Sequence, residues 1–262
     1  MNTENIANLT STSPLTKKEK TISFLWQHLL LVISLFIMTF GVALCVRSNF
    51  GSSVISSIPL VMTLAGAADK APALTIGDYT NIMNILLVGG QILILRRKFE
   101  RMQLFQLIIG FLFGFLLDVN MWLTSGIVCD TIAYKISAQI AGCLVLGTGI
   151  AFEIRCGSVT MPGEGFPAAI CKATGIPFAK AKIGVDTTLV IIAVLTGYAY
   201  FGTWLWNVVG PGTLFAMFFV GLVVRFFDGK LRWFDNLLHY RPGFRRYLFG
   251  LARFIYGRKN RD

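Results

Sequence analysis

Long apolar runs alternate with short polar segments along most of this chain, a pattern typical of a protein that crosses a membrane several times. Six runs reach the roughly 20 residues that a helix needs to span a hydrocarbon core of about 30 Å. They cover residues 23–46, 77–95, 103–124, 135–154, 183–201 and 204–226. Two shorter intervals, 50–66 and 156–172, carry Gly, Ser, Thr and Pro, so we expect each to be a half-helix or a re-entrant hairpin.

The apolar pattern occurs twice along the chain. Residues 41–89 align without a gap with residues 149–197, and 11 of the 49 positions are identical. The matches include Arg47 with Arg155, Pro59 with Pro167 and Asp78 with Asp186. Each copy contains three predicted spans, and an odd number turns the second copy upside down relative to the first. We therefore expect an all-α polytopic membrane protein with two inverted three-helix repeats.

This repeat divides the chain into four predicted parts. They are a disordered cytoplasmic tail at 1–21, a first repeat at 22–125, an inverted second repeat at 126–228 and a basic amphipathic cytoplasmic tail at 229–262. The last part carries nine Lys and Arg residues, interleaved with apolar residues at spacings of three and four. Such a segment is expected to lie on the inner leaflet of the bilayer, where its basic face binds anionic lipid headgroups.

Composition and charge agree with a membrane protein and set its orientation. The chain is 55% hydrophobic and only 14% charged, which excludes an ordinary soluble domain. With the N-terminus and C-terminus both cytoplasmic, 21 of the 24 Lys and Arg residues lie on the cytoplasmic side, as the positive-inside rule requires. The net charge of +11 is then explained by the membrane surface, and we expect no nucleic-acid partner.

Two arginine–aspartate combinations recur at equivalent helix ends. Arg47 and Arg155 end the first span of each repeat, while Asp78 and Asp186 begin the second. Each arginine can pair with the aspartate of its own repeat as a gate, or offer its guanidinium group to an anionic substrate. The alternative is structural: the arginines extend to the interface, and the aspartates complement helix dipoles, with Thr75 and Asp78 at capping-box spacing.

Hydroxyl groups and one acid lie in the two irregular intervals. The hydroxyl residues expected to face a shared cavity are Ser52, Ser53, Ser56, Ser57, Ser158 and Thr160. Half-helix N-termini beside them would favour an anion, although these hydroxyls can equally satisfy freed backbone groups. Glu164 is the single acid in these intervals, and the equivalent residue in the first copy is Ser56. At membrane depth we expect Glu164 to carry a proton or contact a cation; in a shallow hairpin it is only a hydrated loop residue.

Other polar residues predict less chemistry. Five cysteines and two histidines show no metal-ligand spacing, so we expect neither a metal nor a cofactor. Hydrolase and phosphate-binding motifs are missing from the sequence, and we expect no enzyme activity. Glu153 is expected to pair with a lysine or with Arg155. Gly110 and Gly114 form a close-packing face, for which packing within one protomer is favoured and a homodimer contact is the alternative.

The residues from Gly41 to Ser53, with Pro59 and the second segment from Gly149 to Ser158, resemble the YczE/YyaS/YitT-type bacterial integral membrane proteins. The resemblance covers about 40–228 and implies a multi-pass protein of the bacterial cytoplasmic (inner) membrane. It implies no particular substrate or site residue.

Together these features predict a transporter that moves a small anionic or zwitterionic solute by alternating access, with its site formed by 50–60 and 156–167. The alternative is a membrane scaffold or accessory protein that transports nothing and docks partners through its basic C-terminal tail. A water-accessible cavity between the two irregular intervals would favour the transporter, and a solid apolar core would favour the scaffold.

Overall fold

The computed structural model describes residues 17–156, 160–228, 230, 231 and 234, with side chains from residue 24 onward except that of residue 228. Within this part the chain forms α-helices and no strands, as expected. The helices are α1 (Lys17–Arg47), α2 (Val54–Ala67), α3 (Ile76–Leu95), α4 (Phe105–Leu123), α5 (Ile132–Cys156), α6 (Pro162–Thr174), α7 (Phe178–Phe201) and α8 (Pro211–Asp228). The start of the first tail and nearly all of the basic tail lie outside the described residues.

Several of these helices are suited to a membrane. Four are long and apolar enough to cross one, namely those within Phe24–Arg47, Ile76–Lys98, Arg101–Leu123 and Ile132–Cys156. Val54–Ala67 and Pro211–Phe227 are apolar but shorter. Large apolar side chains such as Leu86, Leu93 and Trp122 are exposed on the outside of the bundle, where lipid rather than water would cover them. The chain is thus a multi-pass membrane protein.

The helix order follows the sequence repeat. α2 begins at Val54 and α6 at Pro162, and these two residues occupy equivalent positions of the two copies. Each half consists of a long helix, a short helix and two further helices. Inter-helix contacts are paired in the same way: α1 packs on α4 as α5 packs on α8, and α3 packs on α6 as α7 packs on α2. The duplication therefore extends from sequence to packing.

The central contact of the bundle joins α1 to α5, the first helices of the two halves. Ser34 lies beside Cys156, with 3.8 Å between Oγ and Sγ, and Ser48 donates to Gln139 Oε1 at 2.8 Å. Between these ends a Cβ on Gly41 would overlap the backbone of α5, so only glycine permits this close crossing. Because low numbers in α1 meet high numbers in α5, the two helices run antiparallel.

α3 and α4 also pack closely, through the glycine face predicted from sequence. A Cβ on Gly110 would lie 3.0 Å from Asn84 Nδ2, and one on Gly114 would overlap Asn81. At the end of this contact, Asp118 of α4 accepts a hydrogen bond from the backbone N–H of Gly77 at 2.9 Å. The two glycines therefore contact α3 of the same protomer.

α8 begins at Pro211, later than the predicted span, which starts at residue 204. The preceding loop folds onto the segment before α2: Ser52 N donates to Val208 O at 2.8 Å, and Gly212 N donates to Phe50 O at 2.9 Å. Pro211 is the first helical residue, where its missing N–H costs no hydrogen bond. The sequence pattern places this loop in a span because it is apolar; Val208 and Val209 are buried, whereas Trp204 and Trp206 are exposed.

Candidate functional site

The two short helices bring their N-terminal ends together inside the bundle. The side chain of Ile55, in the first turn of α2, fills the space that a Cβ on Gly163 of α6 would occupy. These two residues occupy equivalent positions of the repeat. α2 and α6 both begin at this contact, so the partial positive charge of each helix N-terminus lies near the other.

Three charged side chains lie beside this meeting point, between α6 and α7. Lys182 Nζ is 3.0 Å from Asp186 Oδ1 and 3.4 Å from Glu164 Oε1. The side chains of Lys182, Glu164 and Asp186 are 28%, 17% and 11% exposed, so all three are largely removed from solvent. We call these residues the charged trio. Lys182 is shared by two acids, which leaves the trio one negative charge in excess when all three groups are ionised.

A fourth ionisable residue, Glu153 of α5, lies at the beginning of α6. Its Oε1 accepts a hydrogen bond from the backbone N–H of Met161, the residue that precedes α6, at 3.0 Å. Glu153 is 3% exposed, and its Oε2 has no hydrogen-bond partner. It is also close enough to Glu164 for the two carboxylates to repel each other. The expected pairing of Glu153 with a lysine or with Arg155 is not seen: its one hydrogen bond in the described part of the chain comes from the backbone N–H of Met161.

The hydroxyls predicted to face a cavity bond to the protein itself. Ser53 and Ser56 are 2.7 Å apart at their Oγ atoms, and Ser56 also donates to Ser53 O at 3.0 Å. Ser52 donates to Val208 O at 3.0 Å. All three serines are buried, whereas Thr160 is exposed and Ser158 lies outside the described residues. In this conformation the serines satisfy backbone and neighbouring hydroxyl groups, which is the structural alternative for them.

The predicted gate of Arg47 with Asp78 is not formed. Arg47 Nη2 donates to the carbonyl oxygen of Met121 at 2.7 Å. Asp78 instead completes a capping box at the start of α3: its N–H donates to Thr75 Oγ1 at 3.0 Å, and its carboxylate accepts from Thr75 N at 3.2 Å. The capping-box prediction is therefore confirmed. Asp186 pairs with Lys182 of its own helix, and Arg155 is half-buried in the last turn of α5.

Sequence reasoning missed Lys182, which it placed among the basic residues of a cytoplasmic loop. Two signals pointed to it. Lys182 and Asp186 have the i, i+4 spacing of a helical ion pair, and the equivalent of Lys182 in the first copy is the apolar Leu74. Helix α7 begins at Phe178 rather than at 183, so Lys182 falls within its second turn and faces the bundle.

Two pockets in the described part of the chain lie elsewhere. One, between α2, α7 and the loop before α8, is lined by apolar residues that include Val61, Ala193 and Trp204. The other lies at the surface near the start of α5, beside Val128 and Tyr134. Neither is lined by a member of the charged trio. The half-helix ends are packed against each other in this conformation.

The sequence profile of a family of unknown function (DUF6198) matches residues 25–229, which include every helix from α2 to α8 and most of α1. The chain therefore belongs to that family. Comparison with curated proteins and with solved structures finds no match.

Proposed function

We propose that this DUF6198 protein is a membrane transporter that moves a small zwitterionic solute by alternating access. The observation that carries the proposal is the charged trio, which lies largely removed from solvent between apolar helices, where two short helices begin. Ionisable side chains in the interior of a membrane protein are costly to bury and commonly line the path of a substrate or ion. Discontinuous helices that begin inside the bundle are the usual way in which transporters build such a site.

We propose further that the two halves are inverted repeats with six spans, formed by α1, α3, α4, α5, α7 and α8. Support comes from the antiparallel contact of α1 with α5 and from the meeting of Ile55 with its equivalent, Gly163. Both are expected around a two-fold axis in the membrane plane. The positive-inside rule then favours cytoplasmic termini, and the resemblance to bacterial integral membrane proteins favours the inner membrane of a bacterium. We also propose kinship between DUF6198 and the YczE/YyaS/YitT-type proteins, supported by the small-residue patterns that follow Gly41 and Gly149.

The chemistry of the trio favours a zwitterion over a simple anion. Lys182 offers an ammonium group to a carboxylate, and the N-termini of α2 and α6 favour negative charge at the same place. Glu164 and Asp186 offer carboxylates to an ammonium group. A solute with both charges adds no net charge to the site: its carboxylate can pair with Lys182, and its ammonium group with one of the two acids.

Alternating access requires the contact between Ile55 and Gly163 to open toward each side of the membrane in turn. A cysteine in place of Ile55 reports this opening. In a background in which the five free cysteines are replaced by alanine, Ile55→Cys is treated with a membrane-impermeant thiol reagent in right-side-out and in inside-out vesicles. A transporter should be labelled in both preparations, and saturating glycine betaine or a neutral amino acid should change the labelling rate if it is a substrate.

Two control cysteines define the limits of this experiment. Leu35→Cys lies in the main core and should react from neither side, whereas Leu74→Cys is exposed before α3 and should react from one side only. Labelling of Ile55→Cys from neither side, or from one side only, would contradict alternating access.

A scaffold or accessory protein is the second candidate. One argument for it is that the N-terminal ends of α2 and α6 are packed against each other at Ile55 and Gly163. Another is that Phe234, in the first part of the basic tail, stacks on Phe152 of α5 with 4.6 Å between ring centroids. Leu231 and Phe234 are buried in the main core, so the chain just after α8 packs on the bundle. Deletion of residues 235–262 should release a bound partner from a scaffold, and should leave the labelling of Ile55→Cys unchanged in a transporter.

A further inference from the structure

We infer that Glu153 is the proton carrier of this protein: its Oε2 takes up and releases one proton at the start of α6, while Glu164 stays ionised beside Lys182. This assignment rests on the proposed transporter for the use that is made of the proton. The presence of the proton itself is a separate property of the site and can be measured without a substrate.

The carboxyl group of Glu153 is buried, and one of its oxygens has no hydrogen-bond partner. Glu153 is 3% exposed, and only one of its two carboxylate oxygens is hydrogen-bonded. An ionised carboxylate is costly to bury in an apolar interior unless a cation or several hydrogen-bond donors compensate it. Adding a proton to Oε2 forms a neutral acid and removes this cost. The proton comes from water on the side to which the site is open, and it leaves to water when the site opens to the other side.

The neighbouring charges favour a proton on Glu153 rather than on Glu164. On α6, Glu164 has Lys182 of α7 at 3.4 Å and lies in the first turn, where the helix dipole stabilises an anion. Asp186 of α7 competes for the same lysine. An ionised Glu164 in turn repels a second negative charge on Glu153.

No hydrogen-bond donor reaches Glu153 Oε2 within the described residues, and α8, which packs on α5, carries Arg225 in its last turn. On its own helix the nearest ionisable neighbours are Arg155, two residues further along the chain, and Cys156, whose Sγ lies 3.8 Å from Ser34 Oγ of α1. α8 contacts α5 near Gly147 through Val220 and Val223. The hydrogen bond that is formed, from Met161 N to Oε1, joins the carboxyl group directly to the residue that starts α6.

This bond offers a route from protonation to movement. A charged carboxylate accepts a stronger hydrogen bond from an N–H than a neutral acid does. Uptake of a proton by Glu153 therefore weakens the hydrogen bond from Met161 N, at the start of α6. This helix meets α2 at the contact between Ile55 and Gly163. The first half lacks this arrangement, because the equivalents of Glu153 and Glu164 are Cys45 and Ser56.

Infrared spectroscopy of the full-length protein in lipid nanodiscs tests the assignment. Spectra are recorded at steps from about pH 5 to about pH 9, in H2O and D2O, and the carbonyl stretching band of a protonated carboxylic acid is followed. We expect one such band from a buried acid, with slow deuterium exchange. Glu153→Gln should abolish it. Glu164→Gln and the exposed control Glu100→Gln should retain it, the former at a shifted frequency.

Other results would overturn the assignment. A band that survives in Glu153→Gln and is lost in Glu164→Gln makes Glu164 the carrier, and a wild-type spectrum without a buried-acid band across this range removes the proton. If Glu153→Gln fails to fold, Glu153→Asp serves instead, because it keeps the acid and must shift the band. Labelling of Ile55→Cys tests the transporter independently: if that experiment fails while the band is present, the proton site stands and the transporter does not.

Discussion

The last two helices of each half differ in how closely they pack. In the first half α3 and α4 are in extensive contact, whereas α7 and α8 hardly touch in the part of the chain that the structure describes. The last helix of the second half carries large residues such as Phe218 and Leu222, whose side chains are 65% and 62% exposed. Small residues let two helix backbones approach, and large ones keep them apart. The repeat thus conveys the order of helices but not the tightness of their contacts.

The two halves differ in charge in the opposite sense. Glu164 and Lys182 of the second half have Ser56 and Leu74 as equivalents, and the aspartate that pairs with Lys182 corresponds to a helix cap in the first half. The tightly packed half is therefore nearly free of buried charge, while the loosely packed half contains the charged trio. In a transporter this division is useful, because a helix that must move keeps few close contacts. Exchanging equivalent residues between the halves tests the comparison.

Replacing Gly114 by Leu, a large residue of the kind that α8 carries, should have the largest effect. A side chain at this position would overlap Asn81 and force α4 away from α3, at a cost of about 3 kcal/mol or more. The yield of monodisperse protein and its thermal unfolding midpoint measure the loss. An exposed residue of α8 gives the control: Leu222→Ala should change stability by less than about 0.5 kcal/mol. Equal effects of the two substitutions would mean that the halves pack alike.

Replacing Lys182 by Leu, the residue at the equivalent position 74, should have the second-largest effect. Glu164 and Asp186 would lose their shared cation, and we expect a cost of about 2 kcal/mol, below the roughly 3–5 kcal/mol of a fully buried pair because the trio is partly exposed. The triple change Lys182→Leu, Glu164→Ser and Asp186→Asn should recover most of this loss in the same unfolding assay. A triple variant no more stable than Lys182→Leu alone would show that the trio does not act as a unit.

Replacing Thr75 by Ile, the residue at the equivalent position 183, should cost about 1 kcal/mol. The change removes a capping hydrogen bond from α3 and the bond of 2.7 Å that Thr75 Oγ1 donates to Asp118. The reverse change, Ile183→Thr, adds a hydroxyl inside α7 rather than at a helix start and should stay within about 0.5 kcal/mol of the wild type. Chemical denaturation measures the unfolding free energy of both variants. The prediction is contradicted if Ile183→Thr loses more stability than Thr75→Ile.

Replacing Lys172 by Leu, the residue at the equivalent position 64, should have the smallest effect. Lys172 pairs with Glu100 at 2.9 Å, but the side chains are 45% and 67% exposed. Pairs of this kind contribute about 0–1 kcal/mol and are screened by salt. Unfolding free energies at low and high salt should agree within about 0.5 kcal/mol for this variant and for Glu100→Gln. A larger loss would mean that the loop between α3 and α4 contributes to stability despite its exposure.

Much of the fold was accessible from the sequence because hydropathy is a property of consecutive residues. The apolar runs located the long helices, and the internal repeat predicted a second short helix from the first. Helix ends were less accessible. The start of α8 was misplaced because Trp204 and Leu205 are as apolar as a span, although they belong to a loop that packs on α2 and α7.

The candidate site was only partly accessible. Glu164 was singled out because an acid between glycines in an apolar region is visible in the sequence itself. Lys182 was missed because it is distant from Glu164 along the chain and looked like a loop residue. For the serines of the first interval, the sequence left two interpretations open, and only their hydrogen-bond partners distinguished between them.

Sequence alone determined that the chain enters a membrane, that its helices come in two sets, and that each set contains a short member. These properties depend on local helix formation and on the length of apolar runs. Only the tertiary structure decided that Ile55 rests on Gly163, that Lys182 joins Glu164 to Asp186, and that Glu153 binds the start of α6. The physical reason is that burial and pairing of a charge depend on atoms from distant parts of the chain, and their distances are fixed by packing.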